Sequence, residues 1–204
     1  MSAWGNAHSG FDPLGQAAPA GEDRWQTIEL VGPHLRVSGK ISMLRFARLS
    51  DLINHSRGYV RLIDAQLLRR NGEPTNLVVP ELMVNQDEIT FIGQKDEEVS
   101  SLPAGQSDGM DRPLMTRTAR QLVIFTPGHT LTGTVYLFSE TDVMSFVDTP
   151  DPRFVPMVKV TARSLADRRV ISHFGLLLVN RTQMTAASLL ERAGSVAESG
   201  ASVD

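Results

Sequence analysis

Cysteine is absent from this 204-residue chain, which excludes disulfides, thiolate metal sites and a cysteine nucleophile. Aromatics are scarce: two tryptophans, two tyrosines and eight phenylalanines leave few rings on which nucleobases could stack. No uninterrupted apolar stretch approaches the length of a membrane-spanning helix. Residues 1–20 are rich in Gly, Ala and Pro, with neither a basic start nor an apolar core. Neither a secretory signal nor a membrane partner is therefore expected, and a cytoplasmic location follows as the default. The formal charge of −3 is that of neither a polyanion-coated nor a strongly basic protein. Catalytic signatures are missing as well: there is no HExxH, HxH, GxSxG, Walker loop or GxGxxG, and no serine with a recognisable base partner. The expectation is a non-catalytic protein with no cofactor and no metal.

What is present is one pattern written twice. Val37, Gly39 and Ile41 lead to residues 49–54, then to 59–63, and then to 82–85 followed by Ile89. Leu131, Gly133 and Val135 lead to residues 143–148, then to 154–158, and then to 177–180 followed by Met184. Self-similarity of this kind decides architecture ahead of local detail. A unit of about 60 residues buries a core only marginally, so two copies gain by packing together. The expected division is a flexible tail over 1–24, a first β-rich repeat over 25–93, a polar acidic linker over 94–118, a second β-rich repeat over 119–191 and a second tail over 192–204.

Within each copy, alternation of apolar and polar residues predicts strands, which makes the fold class mainly β with short helices. Strands are expected over 27–31, 37–41, 59–68, 77–84 and 88–92, and over 121–125, 131–135, 154–162 and 170–179. Residues 184–190 fit either a strand or a short helix. Gly39 and Gly133 stand mid-strand, where glycine marks a bulge or sharp bend. Leu49, Leu52 and Ile53, like Val143, Phe146 and Val147, have helical spacing over one or two turns. Asn71-Gly72 predicts a hairpin turn.

This order of elements resembles a small curled barrel of the Sm-like or SH3-like type. The string Arg48-Leu49-Ser50-Asp51-Leu52-Ile53-Asn54, with Asp64-Ala65 and with Val84-Asn85 ahead of Ile89, resembles an uncharacterised bacterial domain family with RLSDLLN-like and VN-like signatures. The likeness spans residues 35–92. The second copy is similar only in hydrophobic pattern, lacks the RLSD string and carries Lys159 where the first has Asp64. The resemblance implies two such barrels arranged as an internal pseudo-dimer, and it implies no activity.

Three functional readings follow. The first is a binding or assembly module acting through protein–protein contacts in a bacterial complex, with a protein partner or further copies of itself held through exposed strand edges and the short helices. The second is RNA or single-stranded nucleic-acid binding. Arg36, Lys40, Arg45, Arg48, Arg57 and Arg61 crowd one stretch of the first copy and could track a phosphate backbone, although arginines on solvent faces also guard sheet edges against aggregation. The third is a small-ligand sensor at the repeat interface. His34 and His129 precede equivalent strands and raise a metal or proton-switch site, against the simpler reading of loop histidines beside Pro33 and Gly128. Gly39, Asp51, Asn54, Asn85, Gly133, Asp148 and Asn180 are the shared signature and are read as structural, with Asn85 and Asn180 in an Asx-type turn or a left-handed position.

Overall fold

The computed structural model describes residues 24–43, 46–56, 58–95, 117–138, 143–149, 151–166 and 168–190. The elements in chain order are β1 (Trp25–Val31), β2 (Arg36–Ser42), α1 (Leu49–His55), β3 (Tyr59–Leu68), β4 (Pro74–Asn85), β5 (Phe91–Gln94), β6 (Arg117–Thr126), β7 (His129–Phe138), α2 (Val143–Asp148), β8 (Phe154–Ser164), β9 (Val170–Asn180) and β10 (Ala186–Leu189). The strands form one antiparallel sheet in the order β10-β6-β7-β8-β9-β5-β1-β2-β3-β4. Turn chemistry fixes the hairpins: between β6 and β7, Pro127 presets its own φ and Gly128 takes a φ of +89° that an L side chain resists.

The first five strands run in space as β5-β1-β2-β3-β4 and the last five as β10-β6-β7-β8-β9. Registers recur along with the order. Val37 pairs with Leu67 and Ser38 with Gln66 before a shift to Lys40 with Ile63. In the second half Leu131 pairs with Ala162 and Thr132 with Thr161 before a shift to Thr134 with Val158. Gly39 and Gly133 stand at those two shifts. Asp64 and Lys159, on the strands opposite, take φ of 50° and 52°, the left-handed kink of a bulged strand. Tyr59 opens β3 facing Asn85, and Phe154 opens β8 facing Asn180.

The sheet is not closed. β4 ends it on one side and β10 on the other, while β5 pairs with β9. The mainly β class is as expected, but one open ten-stranded sheet runs through both halves, which were expected as two small curled barrels arranged as an internal pseudo-dimer. Backbone satisfaction is the reason: β5 has only four residues, and its donors and acceptors are met by β1 on one side and β9 on the other. The strand expected over 88–92 begins later, because a 3-10 turn, Gln86–Glu88, intervenes. Residues 186–189 are a strand. Residues 96–116 of the expected linker, 1–23 of the first tail and all of 192–204 lie outside the described residues.

Two apolar clusters fill the interior. Leu49, Leu52 and Ile53 of α1 lie in the first with Ile28, Leu30 and Leu62. Phe146 of α2 lies in the second with Leu122, Leu131 and Phe174. The helices face inward as their spacing predicts, and packing, not helix propensity, holds elements this short.

Candidate functional site

The junction of β5 with β9 is where the halves interlock. Phe91 pairs with Val179, Ile92 with Leu178, Gly93 with Leu177 and Gln94 with Leu176. Side chains cross it in both directions: Phe154 and Leu178 belong to the first cluster, and Val31 and Phe91 to the second. Asn180, fully buried, donates through Nδ2 to the carbonyls of Gln86 at 3.2 Å and Ile89 at 2.7 Å. Asn54, near the end of α1, clasps the start of β8. Its Nδ2 donates to Phe154 O at 2.9 Å and its Oδ1 accepts from Phe154 N–H at 2.8 Å.

Arg36 is the polar centre of this region. Its Nε donates to Glu29 Oε1 at 2.6 Å, its Nη1 to Arg70 O at 2.8 Å and its Nη2 to Ser172 Oγ of β9 at 2.8 Å. A planar guanidinium presents its donors as a rigid fork, so it can meet a carboxylate, a carbonyl and a hydroxyl at once. The expectation of Arg36 on a basic binding surface is corrected accordingly: it is 7% exposed, because the buried carboxylate of Glu29 requires a counter-ion. Glu29 was not singled out from the sequence, although a carboxylate inside that apolar run was the available signal.

The other basic candidates do not converge. Lys40 Nζ lies 3.1 Å from Asp64 and Arg61 Nε lies 2.6 Å from Glu81, both pairs exposed. Arg48 is exposed at the start of α1, and Arg45 and Arg57 lie outside the described residues. Asp51 sits in the first turn of α1, where a carboxylate complements the helix N-terminus, and Asp148 ends α2. Asn85 and Asn180 each cap a 3-10 turn, accepting from the N–H of Asp87 and of Thr182. Their φ of −64° and −73° selects the Asx-type turn over the left-handed position.

The β1–β2 and β6–β7 hairpins bring His34 and His129 to one cleft of about 300 Å³, together with Arg36 and Arg70. Two guanidiniums stand where a metal would need carboxylates, and among the described residues no group of three or more His, Asp or Glu could hold a metal ion. His129 meets Phe91 edge-on at 5.4 Å. Burial first, then Arg36 and Arg70, hold its pKa below the ordinary histidine value. As pH falls below about 6.5, the unfolded chain therefore takes up the proton before the folded one. Stability is full above that pH and declines as pH drops toward the depressed folded value. Wild-type melting temperature is expected to fall across this window, and that of His129→Gln to fall less. Equal slopes in the two proteins would remove this role.

The ends of the sheet are unlike its middle. β4 is a twelve-residue edge strand with Leu77, Val78 and Met83 each more than half exposed. β10 is a four-residue edge beside the exposed Phe125 of β6. Alternation marked residues 77–84 as a strand and left 184–190 open between strand and helix, and nothing in it distinguishes an edge strand from an interior one. No helix among the described residues is long and apolar enough to cross a membrane. No family model, no curated protein and no solved structure matches the chain.

Proposed function

We propose that the chain is a non-catalytic assembly module, an internal pseudo-dimer of two curled five-stranded units whose outermost strands take a protein partner by strand addition. The observation that carries this reading is β4. Among the described residues its outer backbone edge has no strand beside it, and Leu77, Val78 and Met83 present apolar side chains along it. Natural sheets blunt such an edge with charge, proline, a bulge or a covering element, because an open apolar strand recruits another chain; β4 is bulged between Pro74 and Val78, where its pairing with β3 shifts. Pro80 and Glu81 interrupt β4 but leave an apolar pair on one side and Met83 on the other.

A nucleic-acid backbone finds less to hold. Arg36 is engaged in the junction, and Lys40 and Arg61 face carboxylates. A small anion could meet Arg70 in the hairpin cleft, yet the guanidinium beside it is already shared among Glu29, Arg70 O and Ser172.

The test is co-purification with tagged full-length protein from its native cells, comparing wild type with the double variant Leu77→Lys, Val78→Lys. Both positions are exposed, so folding should survive and the melting temperature should stay close to wild type. The proteins that co-purify with wild type should fall at least about tenfold in the variant, a loss of roughly 1.4 kcal/mol in binding. An unchanged set of co-purifying proteins would reject β4 as the binding edge.

A further inference from the structure

The junction between the halves has an unused counterpart. In the order of the sheet, β10 holds the place in the second half that β5 holds in the first, and β4 holds the place of β9. β5 pairs with β9, whereas β10 and β4 have no strand on their outer sides among the described residues.

Four buried apolar side chains at the internal junction each have an equivalent at the ends of the sheet; Leu176, partly buried there, has the charged Glu81 as its equivalent. Phe154, facing Asn180 on β9, corresponds to Tyr59, facing Asn85 on β4. Leu178, two residues before Asn180, corresponds to Met83, two before Asn85. Val31, paired with Phe91, corresponds to Phe125, paired with Ala186. The junction members are buried, whereas Tyr59 is 55%, Met83 53% and Phe125 37% exposed, and Ala186 is exposed as well. The last pair also exchanges its sizes: a small residue beside a large one becomes a large residue beside a small one. Such swaps conserve volume, the kind of change a packed contact tolerates best. A hollow of about 240 Å³ lies between residues 82–85 of β4 and Pro33, His34, Leu35 and Glu88.

We infer that the partner for these edges is a second copy of the chain, with β10 of one molecule pairing antiparallel to β4 of the next. The internal register carries over as Ala186 with Val84, Ala187 with Met83, Ser188 with Leu82 and Leu189 with Glu81. Asp148, in the position of Asn54, is placed to accept from Tyr59 N–H, half of the clasp that Asn54 makes on Phe154. The contact joins two different surfaces, so each molecule keeps one free edge of each kind and assembly continues into a ring or a filament. This inference rests on the assembly reading and narrows it to self-association.

The experiment is sedimentation velocity on purified full-length protein over a range of concentrations. Wild type should sediment above the monomer and grow with concentration. Met83→Glu, which blocks the β4 side, and Phe125→Glu, which blocks the β10 side, should each sediment as monomers with unchanged circular dichroism. Tyr59→Glu replaces Met83→Glu if the latter loses structure. The decisive sample is an equimolar mixture of the two blocked variants. Each retains the edge the other lacks, so the mixture should stop at twice the monomer mass. A wild type that stays monomeric, single variants that still assemble, or a mixture that stays monomeric while wild type assembles would each overturn the inference. A monomeric wild type leaves the strand-edge reading standing on its own test, the co-purification loss in Leu77→Lys, Val78→Lys.

Discussion

Arg36→Ala is expected to lower the unfolding free energy by about 3–5 kcal/mol, the usual cost of removing one partner from a buried ion pair. The side chains of Arg36 and Glu29 are each only 6% exposed. The substitution leaves the carboxylate of Glu29 buried without its ion-pair partner, and it also removes donors from Arg70 O and Ser172 Oγ. Urea denaturation would read the change as a lower midpoint at unchanged slope. The double variant Arg36→Met, Glu29→Met separates the need for pairing from the worth of the pair. Because the pair's mutual attraction does little more than repay its own desolvation, replacing both partners should cost far less than removing one. If Arg36→Ala costs no more than an exposed ion pair, about 1 kcal/mol or less, Glu29 is not buried as described and the polar centre of the junction is misassigned.

The error over Arg36 shows where sequence periodicity stops. Val37, Gly39 and Ile41 point inward on β2, so by parity Arg36, Ser38 and Lys40 point outward. That holds for Lys40, which is half exposed beside Asp64. It fails at Arg36 because Ser172 of β9, far along the chain, covers that end of the strand. β1 carries the same message, with Ile28, Glu29, Leu30 and Val31 buried in succession where a one-sided strand would alternate. Local patterns were legible because their causes are local: the bulge glycines, the Asn-Gly turn, the helical spacing of Leu49, Leu52 and Ile53, and the Asx caps. The pairing of β5 with β9 was not, because a strand of four residues, all of them buried, names no partner. The exposure of Tyr59 and Met83 was hidden for the same reason. Their equivalents Phe154 and Leu178 are buried, and only the strand order tells the two environments apart.

Gly93→Val should destabilise the protein by about 3 kcal/mol, the upper end of the overpacking range, because the junction has no direction in which to yield. A Cβ at position 93 would lie 2.3 Å from both Cδ1 and Cε1 of Phe174. That ring is buried and stands edge-on to Phe91 with centroids 6.0 Å apart, so swinging it aside would displace a second aromatic. The backbone is equally confined, since Gly93 pairs with Glu29 of β1 and Leu177 of β9, and moving it would break ladder bonds on one side or the other. A double-mutant cycle tests the contact itself. Gly93→Ala and Phe174→Leu should each destabilise, the first by collision and the second by the cavity it leaves. Together they should cost less than the sum of the two, by about 1–3 kcal/mol, because the methyl fills space the ring has vacated. Additive costs would mean that the ring does not lie over Gly93. The outer counterpart of Gly93 is Ser188, exposed and already bearing a side chain. The counterpart of Phe174 is Val79, which stands as far before Asn85 on β4 as Phe174 stands before Asn180 on β9. A phenyl ring could not press onto Ser188 as it presses onto Gly93, whereas the smaller valine leaves room for the serine side chain. At an intermolecular junction of β10 with β4 the larger residue on one strand would thus be offset by the smaller one on the other, the same exchange of sizes that Val31 and Phe91 undergo in Phe125 and Ala186.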